Sequence, residues 1–289
     1  MKIIAELCQN HNGDFNLLED MVVSAAENGA DIIKIQTIKA KDFHYLKKFE
    51  LFRPFEAEYN RLKQLELSFE AEESFIKLCR DNNVIPMTTM FNPKDNEYFN
   101  ALGYDHLKIS GYSMFNFNYG MDLFYGDTIF EFDKLYFSTS SLTLDEIART
   151  RLNLIDVDAT MLHCICVYPT PLEKLNLQNI EYHKTVKGLG HIKVGFSDHS
   201  NPHFDNLLSS KLAIFQGIEA LERHYTLLPS EDTRDGKVSI TPDMLLELRR
   251  FADLNKKEQY EELNKFTSEQ EFNHEYYRKR LYEIPEEIY

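Results

Sequence analysis

Gly195-Phe196-Ser197-Asp198-His199 and, further on, Glu222-Arg223-His224 decide how the rest of this chain is read. The first stretch follows a short apolar run, His191 to Gly195, and reads as the mouth of a strand. The second closes another apolar run, Gly217 to Leu221, with a helix-length segment between the two. Two histidines leaving successive strands of an α/β sheet point toward the same end, where such folds place their sites. That geometry suits a divalent metal held between imidazoles. A lone histidine at a strand end is more often a packing or hydrogen-bonding residue, but the neighbouring Asp198 and Glu222 and the later Asp235 strengthen the metal reading.

Outward from this stretch, one unit repeats. Ile3 to Cys8 reads as a strand, broken by the turn-rich Gln9-Asn10-His11-Asn12-Gly13-Asp14. Asn16 is placed to cap a helix whose Leu17, Leu18, Met21, Val22, Ala25 and Ala26 share a face, and Gly29 ends it. Ala30 to Ile35 is a second strand, nearly free of polar interruptions, as a sheet covered on both faces requires. Thr37 to Gln64 is a long polar and aromatic insertion with partial helical character, of a length that usually marks a functional loop or lid.

Ser68 caps the next helix. Further strands are expected at Val84 to Met87, His106 to Ser110, Leu135 to Ser138, Thr160 to Cys164, Ile192 to Phe196 and Ile218 to Leu221. Helices are expected from Pro93 to Leu102, around Leu144 to Arg149, from Leu177 to Val186, and from Pro242 behind Thr241. Gly111 to Asp133 is the least regular part, and Tyr168-Pro169-Thr170-Pro171 reads as a rigid loop. Eight βα units predict an α/β chain folded as a (β/α)8 TIM barrel over residues 1–252. Residues 253–289, charged and aromatic, form a C-terminal tail or arm. A doubly wound sheet competes, but polar residues at all eight strand mouths favour the barrel.

The 289 residues carry a formal charge of -15 and a pI near 5.1, which argues against nucleic acid or an acidic membrane surface as main partner. An anionic substrate stays open, since a few lysines and arginines can build a local pocket. Cys8, Cys79, Cys164 and Cys166 lie in or beside apolar runs, so a reduced, cytoplasmic setting is the simpler expectation. No run is long and apolar enough to cross a bilayer, and the start turns polar too soon for a signal peptide.

The strand mouths collect Glu6, Lys34 with Gln36, Thr88-Thr89, Lys108 with Ser110, Ser138, Tyr168, Ser197 with His199, and His224. Charges within strand-like runs are costly unless paired. Lys34 and Lys108 are therefore either salt-bridged to inward carboxylates or reserved for an anionic ligand. Two lysines plus several hydroxyls suit a phosphate or a phosphorylated small acid. Schiff-base chemistry on one of the lysines is the competing mechanism.

A set of short motifs, in order, then resembles the N-acetylneuraminate (sialic acid) synthase family. They are Ile4-Ala5-Glu6, Asn10-His11-Asn12-Gly13, Gly29-Ala30-Asp31, Lys34-Ile35-Gln36-Thr37, His163-Cys164, Tyr168-Pro169-Thr170-Pro171, Ser197-Asp198-His199 and Glu222-Arg223-His224. The resemblance implies a barrel, usually a homodimer, that condenses phosphoenolpyruvate with a sugar aldehyde such as N-acetylmannosamine, using Mn²⁺ or another divalent metal. It implies His199 and His224 as metal ligands, Glu6 as the carboxylate serving water or a sugar hydroxyl, and Asp235 near metal and sugar. Lys34, Thr89, Lys108, Ser110, Ser138, Tyr168 and Ser197 would form the phosphoenolpyruvate pocket, with Gln36 supporting it.

Departures from the family pattern concentrate on the sugar side. Ser110-Gly111 is followed by Tyr112 in place of a glutamate, Ser138-Thr139 by Ser140-Ser141 in place of glycine-methionine, and Cys166 stands for an asparagine. Ser230-Glu231-Asp232-Thr233-Arg234 replaces a proline-rich segment. The family also adds a small antifreeze-like domain that lends an arginine to a partner's site. Arg278-Lys279-Arg280-Leu281-Tyr282 resembles the start of that connection, and the sequence stops at Tyr289. That domain is then truncated, supplied by a separate subunit, or not needed. A different sugar aldehyde and a non-catalytic binding or scaffold homologue are the alternatives to the synthase.

Overall fold

The fold was examined in a computed structural model, which describes residues 1–43, 46–91, 96–114, 132–140, 142–154, 157–185, 192–265 and 268–279. Eight parallel strands close in sequence order: β1 (Lys2–Cys8), β2 (Ile32–Thr37), β3 (Ile85–Met90), β4 (His106–Ile109), β5 (Lys134–Ser138), β6 (Ala159–Cys164), β7 (Lys193–Asp198) and β8 (Ala220–His224). β8 returns to pair with β1, so the barrel has no edge strand. The predicted (β/α)8 fold is what forms.

Several boundaries differ from expectation, and mostly in one direction. β2, β3, β7 and β8 start and end later than the apolar runs suggest. Apolar runs end at the first charged residue, whereas the barrel interior accepts charges that pair across it. β8 therefore carries Glu222, Arg223 and His224 inside the strand.

The helices α1 (Phe15–Glu27), α2 (Phe55–Leu65), α3 (Phe69–Asp81), α4 (Asn96–Leu102), α5 (Gly111–Met114), α6 (Leu144–Asn153) and α7 (Gln178–Thr185) come next in chain order. They are followed by α8 (Pro202–Asp205), α9 (Leu208–Phe215), α10 (Pro242–Asp253), α11 (Lys256–Leu263) and α12 (Ser268–Lys279). α1 buries Leu18, Met21, Val22 and Ala25, the face its 3.6-residue period predicts. Its cap is Asp14, not Asn16: the Asp14 carboxylate accepts from the Asn16 and Leu17 backbone N–H groups, so the helix begins two residues earlier. Ser68 caps α3 as expected, and Pro242 occupies the first turn of α10. The insertion before α3 contains α2 and two short 3₁₀ turns.

Residues 115–131 of the irregular segment, 93–95 of the helix expected from Pro93 to Leu102, Val186 and 280–289 lie outside the described residues. Within the segment from 253 on, α11 opens with a capping box between Asn255 and Glu258 and lies against the barrel helices. Gln259 is buried there and donates to the Phe251 carbonyl at 3.1 Å, while Lys211 reaches Glu262 at 3.2 Å. No helix among the described residues is long and apolar enough to cross a membrane.

The outer core lies between sheet and helices. A second, smaller cluster fills the barrel itself: Ile4, Ile32, Met87, Tyr136, Leu162 and Ala220, all completely buried. Gly195 of β7 belongs at this level because a side chain there would not fit. A Cβ would stand 2.5 Å from the Ala220 carbonyl oxygen and 2.6 Å from Leu162 Cδ2.

Candidate active site

A strand returns to the same face every second residue. Two residues beyond each member of the inner apolar layer stand Glu6, Lys34, Thr89, Ser138, Cys164 and Glu222. These six form the next layer toward the C-terminal mouth, the end at which such barrels build sites. All six line a cavity of about 510 Å³ that also receives Gln36, Lys108, Ser110, Tyr168, His199 and His224. The polar layer forms the cavity floor, and the apolar layer lies beneath it.

Two ammonium and two carboxylate groups, all buried, meet there. Lys34 Nζ contacts Glu6 Oε2, donates to Thr89 Oγ1 at 2.9 Å, and lies 3.8 Å from Glu222 Oε2. Lys108 Nζ donates to Glu222 Oε1, and Ser197 Oγ donates to the same oxygen at 2.7 Å. The backbone N–H of Cys8 donates to Glu6 Oε1 at 2.6 Å. Burial works to raise the Glu222 carboxyl, but the Lys108 and Lys34 charges prevail and hold it well below the usual carboxylate range. Burial pushes the Lys34 ammonium down to about 7, with Glu222 opposing. The first of the two expectations for the lysines is met, since both are salt-bridged to inward carboxylates, and both also line the cavity.

The histidines occupy the other side. His199 and His224 rings lie 5.2 Å apart, and the Tyr168 ring packs 4.2 Å from that of His199. Tyr168 precedes a cis proline, Pro169. His199 Nδ1 is 3.2 Å from the Ile165 carbonyl and 3.6 Å from Cys164 Sγ. A donor Nδ1–H toward that carbonyl leaves Nε2 as the nitrogen with a lone pair. His224 Nδ1 is buried, has no hydrogen-bond partner among the described residues, and lies 3.6 Å from Asp235 Oδ2. Burial lowers His224 to about 4, so the imidazole is neutral near pH 7. Against the effect of burial, His224 and the Cys8 thiol hold Asp235 below the usual carboxylate range.

The mouth is cationic around one acid. Glu58 of α2 accepts from Arg61 at 2.7 Å and from Arg234 at 2.9 Å, with Arg53 Nη1 3.5 Å away. Arg61 also donates to Gln9 at 2.6 Å. Burial favours protonation of Glu58, but Arg61 and Arg234 overcome it and bring it to about 2. The insertion therefore supplies part of the cavity wall.

The structure brings Glu6, Lys34, Gln36, Thr89, Lys108, Ser110, Ser138, Tyr168, His199 and His224 to one cavity. Ser197 stands behind Glu222 and Asp235 beside His224. Asp198 goes elsewhere, against the expectation that it assists a metal. Strand alternation turns Asp198 and Arg223 outward as register partners, where they pair at 2.9 Å. Ser209 and Ser210 donate to Asp198, and the Ser200 N–H completes its shell.

The sequence reading named Glu222 only as support for a metal, not as a partner of the lysines, and omitted Cys8 and Cys164 as site residues. Glu222 had a usable signal, since it lies two residues before His224 on one strand and so shares its face. Cys8 had none, because a register shift between Glu6 and Cys8 decides where it ends.

Comparison with known proteins adds an independent line. Residues 21–267 match the model of the NeuB family. The chain is 29% identical over 255 residues to an N,N'-diacetyllegionaminic acid synthase of Campylobacter jejuni, covering 84% of this chain and 72% of that protein. It is 32% identical over 252 residues to an uncharacterized protein of Methanocaldococcus jannaschii, covering 85% of this chain and 68% of that one. An N-acetylneuraminic acid synthetase structure from Leptospira borgpetersenii aligns with a TM-score of 0.74 at 23% identity, over 96% of this chain and 91% of that chain. That structural likeness speaks to the fold.

Proposed function

The chain belongs to the NeuB family, and from that premise we propose that it condenses phosphoenolpyruvate with an aldose in a metal-dependent reaction. The products are a sialic-acid-like 3-deoxy-2-keto sugar acid and free phosphate. The observation that carries this reading is the pair of buried ammonium groups, Lys34 and Lys108, converging on Glu222 at the cavity floor. A small ligand bearing carboxylate and phosphate meets both charges there in a low-dielectric setting, where each contact counts for more than in water. Thr89, Ser138 and Ser110 add hydroxyls from neighbouring strands.

In the proposed reaction C3 of phosphoenolpyruvate bonds to the aldehyde carbon, whose oxygen gains a proton. Water adds at C2, the C2–O bond to phosphate breaks, and phosphate leaves as the C2 ketone forms. Glu6, held by Lys34 and the Cys8 N–H, is the carboxylate placed to take the proton of that water. Tyr168 and the cationic mouth orient the sugar and restrict water.

The donor set fits a divalent ion, Mn²⁺ or another. His224 offers a neutral imidazole with an unpartnered buried nitrogen, and His199 and Asp235 stand beside it. Such an ion supplies Lewis acidity to a sugar carbonyl. Ser140, Cys166 and Arg234 line the cavity at positions where the sequence departs from the family pattern, which favours an acceptor other than N-acetylmannosamine. A homodimer in the cytoplasm belongs to the same proposal.

The test follows free phosphate from phosphoenolpyruvate with Mn²⁺ against a panel of aldoses, with His199→Ala as control. Release that needs both metal and acceptor, and disappears in the control, supports the synthase. Absence of release with every acceptor, despite tight binding of phosphoenolpyruvate, overturns it in favour of a binding homologue.

A further inference from the structure

One cluster extends past the residues used so far. Cys8, His224 and Asp235 each present a ligand atom, and these atoms all lie within 4.8 Å of one another. The group is enclosed: Cys8 and His224 are buried and Asp235 is largely so. Three observations set Cys8 apart from an ordinary packed thiol. It faces a carboxylate and an imidazole, where most buried cysteines have apolar neighbours. The buried His224 Nδ1 beside it has no hydrogen-bond partner among the described residues, and a buried polar nitrogen is rarely left unpaired. Cys8 also adopts φ +49°, a left-handed conformation that non-glycine residues seldom enter and that clusters at functional sites.

We propose that Cys8 is a thiolate ligand of the metal site, joining His224, Asp235 and His199, and that it gives the site a preference for a thiophilic ion such as Zn²⁺, Co²⁺ or Fe²⁺ over Mn²⁺. The inference rests on the metal-dependent reading above and specifies which ion it involves. A site of one thiolate, two imidazoles and one carboxylate is a mixed S, N, O donor set typical of tetrahedral zinc-like coordination, whereas Mn²⁺ favours oxygen donors. Binding follows the balance Cys8–SH + M²⁺ → Cys8–S–M⁺ + H⁺, with the proton released to solvent. Cys164, 3.6 Å from His199 Nδ1, shares that nitrogen with the Ile165 carbonyl and is not one of the three clustered groups, which makes it the control thiol.

Cobalt substitution reads the ligand directly. Metal-stripped protein titrated with Co²⁺ is expected to show a thiolate-to-cobalt charge-transfer band in the near ultraviolet beside the weak visible bands of the ion. Cys8→Ser is expected to lose the charge-transfer band and keep bound Co²⁺, and Cys164→Ser to keep both. Competition should show Zn²⁺ affinity falling on the order of 100-fold in Cys8→Ser, with Mn²⁺ affinity little changed. Bound Co²⁺ without the thiolate band in the wild-type protein overturns the role of Cys8 while leaving the metal reading intact. Persistence of the band in Cys8→Ser does the same. Failure of the wild-type protein to retain any divalent ion in dialysis overturns both.

Discussion

Glu222 is the carboxylate to which Lys108 and Ser197 donate and near which Lys34 also lies, so neutralising it would strand the Lys108 ammonium inside the barrel and leave Lys34 with Glu6. Removing one partner of a buried ion pair costs about 3–5 kcal/mol, because the remaining charge stays desolvated. Glu222→Gln is therefore expected to lower the urea midpoint by that equivalent with an unchanged m-value. A loss below about 1 kcal/mol would mean the lysines reach water in the folded state. Asp198 is equally buried but serves the framework, bound by Arg223 and three serines on the helix side of the sheet. Asp198→Ala should carry a similar stability cost yet leave the number of bound divalent ions unchanged. A protein that stays as stable but loses its metal would return Asp198 to the list of ligands.

At the scale of elements, helix ends and the long insertion make separable contributions. α6 begins with a capping box: the Thr143 hydroxyl accepts from the Glu146 N–H, and the Glu146 carboxylate accepts from the Thr143 N–H at 2.7 Å. Thr143→Ala should cost about 1 kcal/mol in chemical denaturation and leave substrate affinities untouched. The insertion acts differently, because α2 carries Glu58 and Arg61 to the cavity mouth, where Arg234 joins them from the loop after β8. Arg61→Ala and Arg234→Ala are expected to raise KM for the sugar on the order of tenfold, the factor of one charge-assisted hydrogen bond, while KM for phosphoenolpyruvate barely moves. Equal effects on both substrates would place the phosphoenolpyruvate site at the mouth and not at the floor.

Across the whole molecule, buried neutral histidines set the acid limit. His11 and His183 are almost fully buried, and burial lowers each to about 4. Their unfolded value is about 6.5, so between these limits the unfolded chain binds more protons than the folded one. Stability is accordingly at full strength above about pH 6.5, falls as pH drops, and has lost this contribution by about pH 4. Each group accounts for up to about 3 kcal/mol across that window. Urea midpoints measured from pH 7 to pH 4 should decline, and His183→Gln should flatten part of the decline. A flat profile in the wild-type protein would contradict the burial of these rings.

How much of this was legible beforehand depends on the range of the interaction. Alternating apolar runs and helical periods are local, so the count of eight βα units, the Ser68 and Pro242 helix starts and the barrel itself could be read from the chain. The histidines and lysines at the strand mouths were legible for the same reason: position at a strand end implies position at a barrel end. Strand limits were less so, because a charge such as Glu222 looks like a terminator until its partners on β2 and β4 are known. Tertiary structure alone decided three things: that Glu222 lies within ion-pair reach of both lysines, that the outward Asp198 meets Arg223 and three serines, and that Cys8 arrives beside His224 and Asp235. Each depends on a pairing between residues far apart in the sequence, or on a shift of register, and period-two alternation along one strand contains neither.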